Sequence, residues 1–310
     1  MSYTKPAPNF DLSSPSPAYT LASGDKMPII AYGTFRSNPG EVGPAVIEAL
    51  KAGYRHLDLA HVYGNEEEIG KALKQAFDEG IVTREELFIT GKLWNSDHDV
   101  DIVPQAAAHS FGYTRLGASE LGDTPLIDTW RAMEDLVEKG VCKNIGVSNY
   151  PMMVMHDLVT QAKIQPVCNQ IEVYAYYQRE SLVNYCLSRN ICVTAHTPLG
   201  GGVLNSETWD TPIPLKDDII LEIAKKHGKS PAQVLLRSLL QRGIVILPKS
   251  VKPHRMAENK DILDFSLTET EMKEIATLDK YVSYKTNPNP LSSFMGGPDA
   301  FSCLGTDIFD

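Results

Sequence analysis

The stretch Gly53-Tyr54-Arg55-His56-Leu57-Asp58-Leu59-Ala60-His61-Val62-Tyr63-Gly64-Asn65-Glu66-Glu67-Glu68-Ile69-Gly70 is the most informative in the chain. It reads as a short β-strand ending in an acid, a step to a tyrosine, then a capped amphipathic helix. The next apolar run, Leu87-Phe88-Ile89-Thr90-Gly91-Lys92-Leu93-Trp94, reads as a strand that closes on a lysine. Asp58, Tyr63 and Lys92 therefore fall at neighbouring strand ends. Such a trio suits proton transfer to a carbonyl oxygen. A phenol is a poor acid at neutral pH, a nearby ammonium stabilises the phenolate, and an acid behind the ammonium keeps it charged and oriented. Taken singly, Asp58 reads as a strand-end carboxylate, Tyr63 as a packing residue and Lys92 as a surface lysine. The shared run argues against that, because an ammonium closing an apolar strand beside Trp94 needs a partner.

Outward from this run the pattern alternates. Ala18–Leu21 and Met27–Ile30 flank Ser23-Gly24-Asp25, which predicts a hairpin closing one end of the domain. Short apolar strands are predicted near Ala31, His56, Phe88, Ile145, Val167, Val193 and Val245, with helices between them. Ser230-Pro231-Ala232-Gln233 is a capping box with proline at the first helical position, Thr268 with Glu271 repeats the device, and Thr124-Pro125 opens a helix that stops at Gly140. Strand–helix alternation over 310 residues fits one (β/α)8 TIM-type barrel with its active site at the C-terminal strand ends. The predicted organisation is a mobile segment 1–17, a barrel domain 18–280, and an aperiodic, proline- and glycine-bearing tail 281–310 facing the substrate.

A net charge of −10 argues against nucleic acid or an acidic membrane as partner. The five cysteines (Cys142, Cys168, Cys186, Cys192, Cys303) form no C-x-x-C pair and read as reduced, packed thiols. The N-terminus is polar and proline-rich, and no apolar run is long enough to span a membrane, so a cytoplasmic protein is expected. No histidine–cysteine spacing suits a metal, and there is no G-x-G-x-x-G or Walker lysine motif.

Six motifs in order add a resemblance. Gly33-Thr34-Phe35, the Asp58–Tyr63 run with Lys92, Ile145-Gly146-Val147-Ser148-Asn149-Tyr150, Asn169-Gln170-Ile171-Glu172, Thr197-Pro198-Leu199-Gly200, and Leu247-Pro248-Lys249-Ser250-Val251 with Arg255, Glu258 and Asn259 resemble the aldo-keto reductase family (aldose/xylose reductase-like) from about Met27 to about Asp279. The resemblance implies NADPH-dependent reduction of an aldehyde, sugar or ketone carbonyl by an oxidoreductase, with Tyr63 as proton donor and Lys92 and Asp58 behind it. It implies that Gly33, Thr34, Ser148, Asn149, Gln170, His196, Thr197, Leu199 and Gly200 hold the cofactor. Ser148, Asn149 and Gln170 match positions that bind the nicotinamide carboxamide. Lys249, Ser250, Arg255, Glu258 and Asn259 match the pocket for the adenosine 2′-phosphate and adenine, favouring NADPH over NADH. Phe35 and Trp94 match the substrate mouth. A monomer acting on a small-molecule carbonyl is expected.

Two departures qualify the resemblance. His196 replaces the tyrosine that usually stacks on the nicotinamide; an imidazole is smaller and titrates near neutrality, so tighter binding at mildly acid pH is expected. The larger departure follows Lys92. The family's fourth strand ends in His-Trp-Pro, and that histidine completes its catalytic set. Here Gln105–Gly112 reads as the preceding helix and Tyr113–Gly122 as the following loop, leaving seven strand signals. Neither His98 nor His109 sits at a strand end. The strands around Phe88 and Ile145 are then expected to pair directly, to accept a makeshift strand from Phe111–Leu116, or to stay open. The missing strand keeps a catalytically silent NADPH-binding regulatory or structural protein as the alternative reading, as well as a truncated, poorly folded product. The intact Asp58, Tyr63 and Lys92 oppose both.

Overall fold

The computed structural model describes residues 10–11, 17–94, 97–109, 124–201, 213–281, 283 and 304–309. Its first sheet is antiparallel: β1 (Phe10–Asp11), β2 (Ala18–Thr20) and β3 (Lys26–Pro28). The predicted hairpin is β2–β3. Its turn is closed by Leu21 N–H to Asp25 O at 2.9 Å, with Gly24 in the left-handed region at φ +96°. β1 lies within the segment expected to be mobile, and its backbone pairs with β2. The hairpin sits across the N-terminal strand ends: the His56 ring faces Pro28 O at 3.1 Å, and Asn144 Nδ2 donates to Asp25 Oδ2 at 2.6 Å.

The alternation then runs as read. β4 (Tyr32–Gly33), α1 (Val42–Lys51), β5 (His56–Asp58), α2 (Glu66–Asp78), β6 (Phe88–Lys92) and α3 (Val103–His109) form the first half. The second half holds α4 (Leu126–Glu138), β7 (Asn144–Ser148), α5 (Met152–Gln161), β8 (Cys168–Glu172), α6 (Glu180–Ser188) and β9 (Cys192–His196). After them come α7 (Asp218–His227), α8 (Pro231–Gln241), β10 (Ile244–Leu247), α9 (Pro253–Lys260) and α10 (Glu269–Ala276). Both capping boxes form as predicted, at Ser230/Gln233 and Thr268/Glu271. All seven predicted barrel strands are present. Their short apolar sequences suit strands buried on both faces, and Leu57, Ile145, Val193 and Val245 are fully buried. Each such side chain contributes roughly 1.5–3 kcal/mol. β7 and β8 approach so closely at Gly146 that a Cβ there would lie 2.7 Å from Cys168 Sγ and 2.9 Å from Cys168 O, so the position requires glycine.

The strand count is corrected by an eighth strand, β11 (Leu304–Phe309), from the segment read as an aperiodic tail. It runs antiparallel between β6 and β7, giving the sheet order β10-β9-β8-β7-β11-β6-β5-β4. β6 and β7 therefore neither pair directly nor leave the slot open; Phe111–Leu116 lie outside the described residues. The two ends of the sheet meet through a parallel bridge, Ile30 with Ile246. Ala31 N–H to Ile246 O (2.9 Å), Ile246 N–H to Ile29 O (3.0 Å) and Gly33 N–H to Pro248 O (3.1 Å) complete that seam. Among the described residues, no helix is long and apolar enough to cross a membrane.

Candidate active site

Strand pairing brings the trio together. β5 and β6 are parallel and in register from His56–Phe88 to Asp58–Thr90, which puts Lys92 just beyond Asp58 on the next strand. A 3-10 turn, His61–Tyr63, then folds the tyrosine back over the strand ends. Lys92 Nζ donates to Asp58 Oδ2 at 2.8 Å, to Leu59 O at 2.7 Å and to Tyr63 OH at 3.2 Å. Three ammonium protons thus meet three acceptors in a buried site, which is what a desolvated lysine requires. Burial opposes the charge on Lys92, yet Asp58 and Tyr63 outweigh it and raise the lysine pKa. For Tyr63 the balance differs from the sequence expectation. Burial raises its pKa, and the opposing pull of Lys92 only partly offsets this. The phenol therefore rests protonated, with an ammonium positioned to stabilise the phenolate once the proton leaves.

Behind the trio runs a continuous polar chain. Gln170 Nε2 donates to the second oxygen of Asp58 at 2.8 Å. Ser148 Oγ donates to Gln170 O at 2.9 Å, Asn149 Nδ2 donates to Ser148 Oγ at 3.1 Å, and Asn149 Oδ1 lies 3.1 Å from His196 Nε2. An amide oxygen only accepts, so this orientation puts the neutral imidazole's proton on Nε2 and lets Nδ1 accept from Thr197 Oγ1 at 3.2 Å. The residues expected around the nicotinamide carboxamide are thus gathered on one face. The Gln170–Asp58 bond was not anticipated: the partners lie 112 residues apart and no local pattern announces it. Asn149 and Thr197 both take left-handed backbone, φ +60° and +56°. For a β-branched residue such as Thr197 this is strained, and strain of this kind collects at functional sites.

The remaining expected residues lie at or just past the ends of β4, β6, β9 and β10, or on α9. Thr34 is fully buried and its hydroxyl donates to Asp58 O at 2.8 Å, which fixes the acid-bearing strand end rather than presenting a free group. Gly33 lies against the Leu247–Lys249 backbone. The Phe35 ring packs on Tyr63, centroids 4.9 Å apart, and Trp94 is half-buried just past Lys92. Gly200 leaves room for nothing larger: a Cβ would meet the Tyr174 ring at 2.9 Å. Leu199 packs at the edge of the core. Lys249 Nζ donates to Arg36 O at 3.1 Å, and Ser250 O accepts from Tyr32 OH at 2.9 Å. Arg255, Glu258 and Asn259 lie on α9, which Pro253 opens. Among the described residues, Lys249, Lys252 and Arg255 form no ion pair. Tyr63 OH takes its hydrogen bond from Lys92, and no described histidine bonds to it. His98 lies in the loop after β6, and α3 ends at His109.

A family model, the aldo/keto reductase family, matches residues 30–117 and 118–280. This chain belongs to the aldo/keto reductase family. The NADP-dependent D-sorbitol-6-phosphate dehydrogenase of Malus domestica is 38% identical, covering 86% of this chain and 95% of that protein. Aldo-keto reductase family 1 member A1 of Cricetulus griseus is 39% identical, over 85% and 90%. Among solved structures, an aldo-keto reductase of Bombyx mori in complex with NADP superposes with a TM-score of 0.83 at 34% identity, over 93% and 99% of the two chains. The aldose reductase of Schistosoma japonicum gives 0.81 at 35%, over 92% and 98%. Against the Malus domestica protein the chain has one sizeable gap. Its alignment with the Malus domestica protein runs over 299 positions, yet 86% of 310 residues is about 267, so roughly 30 positions face no residue here. That is close to one βα unit of a barrel.

Proposed function

We propose that this chain reduces the carbonyl of an aldehyde, sugar or ketone to an alcohol with NADPH, using Tyr63 as the proton donor. The hydrogen-bonded trio Tyr63–Lys92–Asp58 carries the reading. NADPH supplies the hydride when bound. Lys249, Lys252 and Arg255, with the N-terminus of α9, are a donor set suited to a dianionic 2′-phosphate. Ser148, Asn149, Gln170 and His196 supply side-chain amide, hydroxyl and imidazole groups suited to a carboxamide and a flat ring. Gly33, Thr34, Thr197, Leu199, Gly200, Ser250, Glu258 and Asn259 complete the proposed cofactor contacts. Phe35 and Trp94 give the carbonyl an apolar approach. As charge develops on the carbonyl oxygen, the Tyr63 O–H transfers its proton there. Lys92 stabilises the phenolate, and Asp58, held by Gln170 on its other oxygen, keeps Lys92 charged.

The test is an NADPH-oxidation assay over a panel of aldehydes, sugars and ketones. Tyr63→Phe keeps the ring against Phe35 and removes the acid, so turnover is expected to fall by about 10²-fold or more with NADPH affinity unchanged. Arg255→Ala is expected to weaken NADPH and leave NADH alone. A Tyr63→Phe enzyme retaining most of its turnover overturns the assignment.

A further inference from the structure

We infer that residues 304–309 are a self-supplied eighth strand, which replaces the chain's missing fourth barrel strand and holds the Lys92 end of β6 in place across the barrel; the catalytic part of this inference rests on the reductase reading above. Four observations carry it. Between Lys92 and Asn144 no described residue forms a strand, so β6 and β7 would otherwise present two open edges of backbone donors and acceptors. β11 pairs along both. It sets Thr306, Asp307, Ile308 and Phe309 against Lys92, Gly91, Thr90 and Ile89. On its other side Leu304 to Ile308 run against Ser148 to Asn144.

The strand begins at the end of the barrel where the trio sits. Ser283 Oγ donates to Glu172, at the C-terminal end of β8, at 2.5 Å. Leu304 is level with Ser148, the last residue of β7, on that same face. From that end the strand runs down the slot, antiparallel to both neighbours. The sequence also fits the register. Leu304, Thr306 and Ile308 are level with Ser148, Gly146 and Asn144, while Gly305, Asp307 and Phe309 take the alternate positions. A one-residue slip would exchange the two sets. Thr306 stands opposite both Lys92 and Gly146, so among the described residues this segment is what ties the strand of Lys92 to β7.

The test uses the full chain carrying Ile89→Cys and Phe309→Cys, residues opposed in the antiparallel register and outside the catalytic set. Opposed residues lie within disulfide reach, so mild oxidation is expected to form an Ile89→Cys/Phe309→Cys bridge within one chain, read by peptide mapping. No bridge, or a bridge only between chains, overturns the proposal. A second variant ends at Ser302. Its Tm is expected to fall by at least about 5 °C and its turnover by at least tenfold. NADPH should remain preferred over NADH, because Lys249 and Arg255 lie on the far side of the barrel sequence. Adding a peptide of residues 302–310 should restore both losses. A truncated chain with unchanged Tm and turnover overturns the proposal. The cross-link and the Tm need no reductase assay, so a bridged, stable but inactive full chain would sink the reductase reading alone.

Discussion

Lys92 satisfies all three of its protons inside the protein, and its neighbours in the barrel interior are polar as well. His56, on the same face of β5 two residues before Asp58, is buried between Pro28 O and Thr90 Oγ1 at 3.1 and 3.0 Å. Burial pulls its pKa from 6.5 to about 4, with the Pro28 and Asp58 contacts opposing. A lowered histidine pKa means the neutral ring belongs to the folded state. Its contribution is complete above pH 6.5 and is lost as pH falls through 4, reaching about 3 kcal/mol. Urea unfolding at pH 7, 5.5 and 4 is expected to show this loss, and His56→Gln should flatten the profile between pH 6.5 and 4. An unchanged slope in the variant would refute it. Asp58 and Lys92 were legible because strand ends announce themselves in sequence: each closes an apolar run. His56 lay in the same run without distinction, since its environment is made by Pro28 and Thr90 from elsewhere.

At the scale of elements, local signals were reliable and distant ones invisible. The Thr268/Glu271 capping box spans four residues, so composition alone predicted it. What it could not predict is that Glu271 also receives Lys226 Nζ at 2.7 Å and faces His227 Nε2 at 3.0 Å, tying α10 to α7. Burial raises the carboxyl pKa, but the bonds from Lys226, Thr268 and His227 outweigh it and hold it at about 2. A depressed acid stabilises the fold above its ordinary pKa near 4.5 and loses that contribution as pH falls towards 2. Glu271→Gln is expected to lower stability at pH 7 by roughly 1–3 kcal/mol and to remove this acid-dependent step. Thermal unfolding at pH 7 and pH 3 measures both; equal loss at the two pH values would show that the pairing contributes nothing.

Across the whole molecule, the ring of strands makes its interior inaccessible. Cys142, Cys168, Cys186 and Cys192 are buried thiols outside any disulfide, as the scattered cysteine pattern predicted, and Cys303 lies outside the described residues. Burial pushes the Cys168 thiol up to about 12 and Cys186 to about 11, and raises Cys192 as well. These four are expected to resist a thiol-specific chromogenic reagent until the barrel opens, at a rate that follows unfolding. Fast labelling of any of the four in the native state would mean that the sheet opens locally.

The sequence by itself determined the seven parallel strands, the capping boxes of α8 and α10, the strand-end trio and the cationic run near α9. Each depends on residues close together in the chain, where period, cap and strand-end chemistry are readable. Tertiary structure decided three things. It linked Gln170 to Asp58, it bridged Ile30 to Ile246, and it placed Leu304–Phe309 in the slot after Lys92. In each case the partners are far apart in sequence, and a six-residue segment without a distinctive period becomes a strand only when two unpaired edges offer it a register.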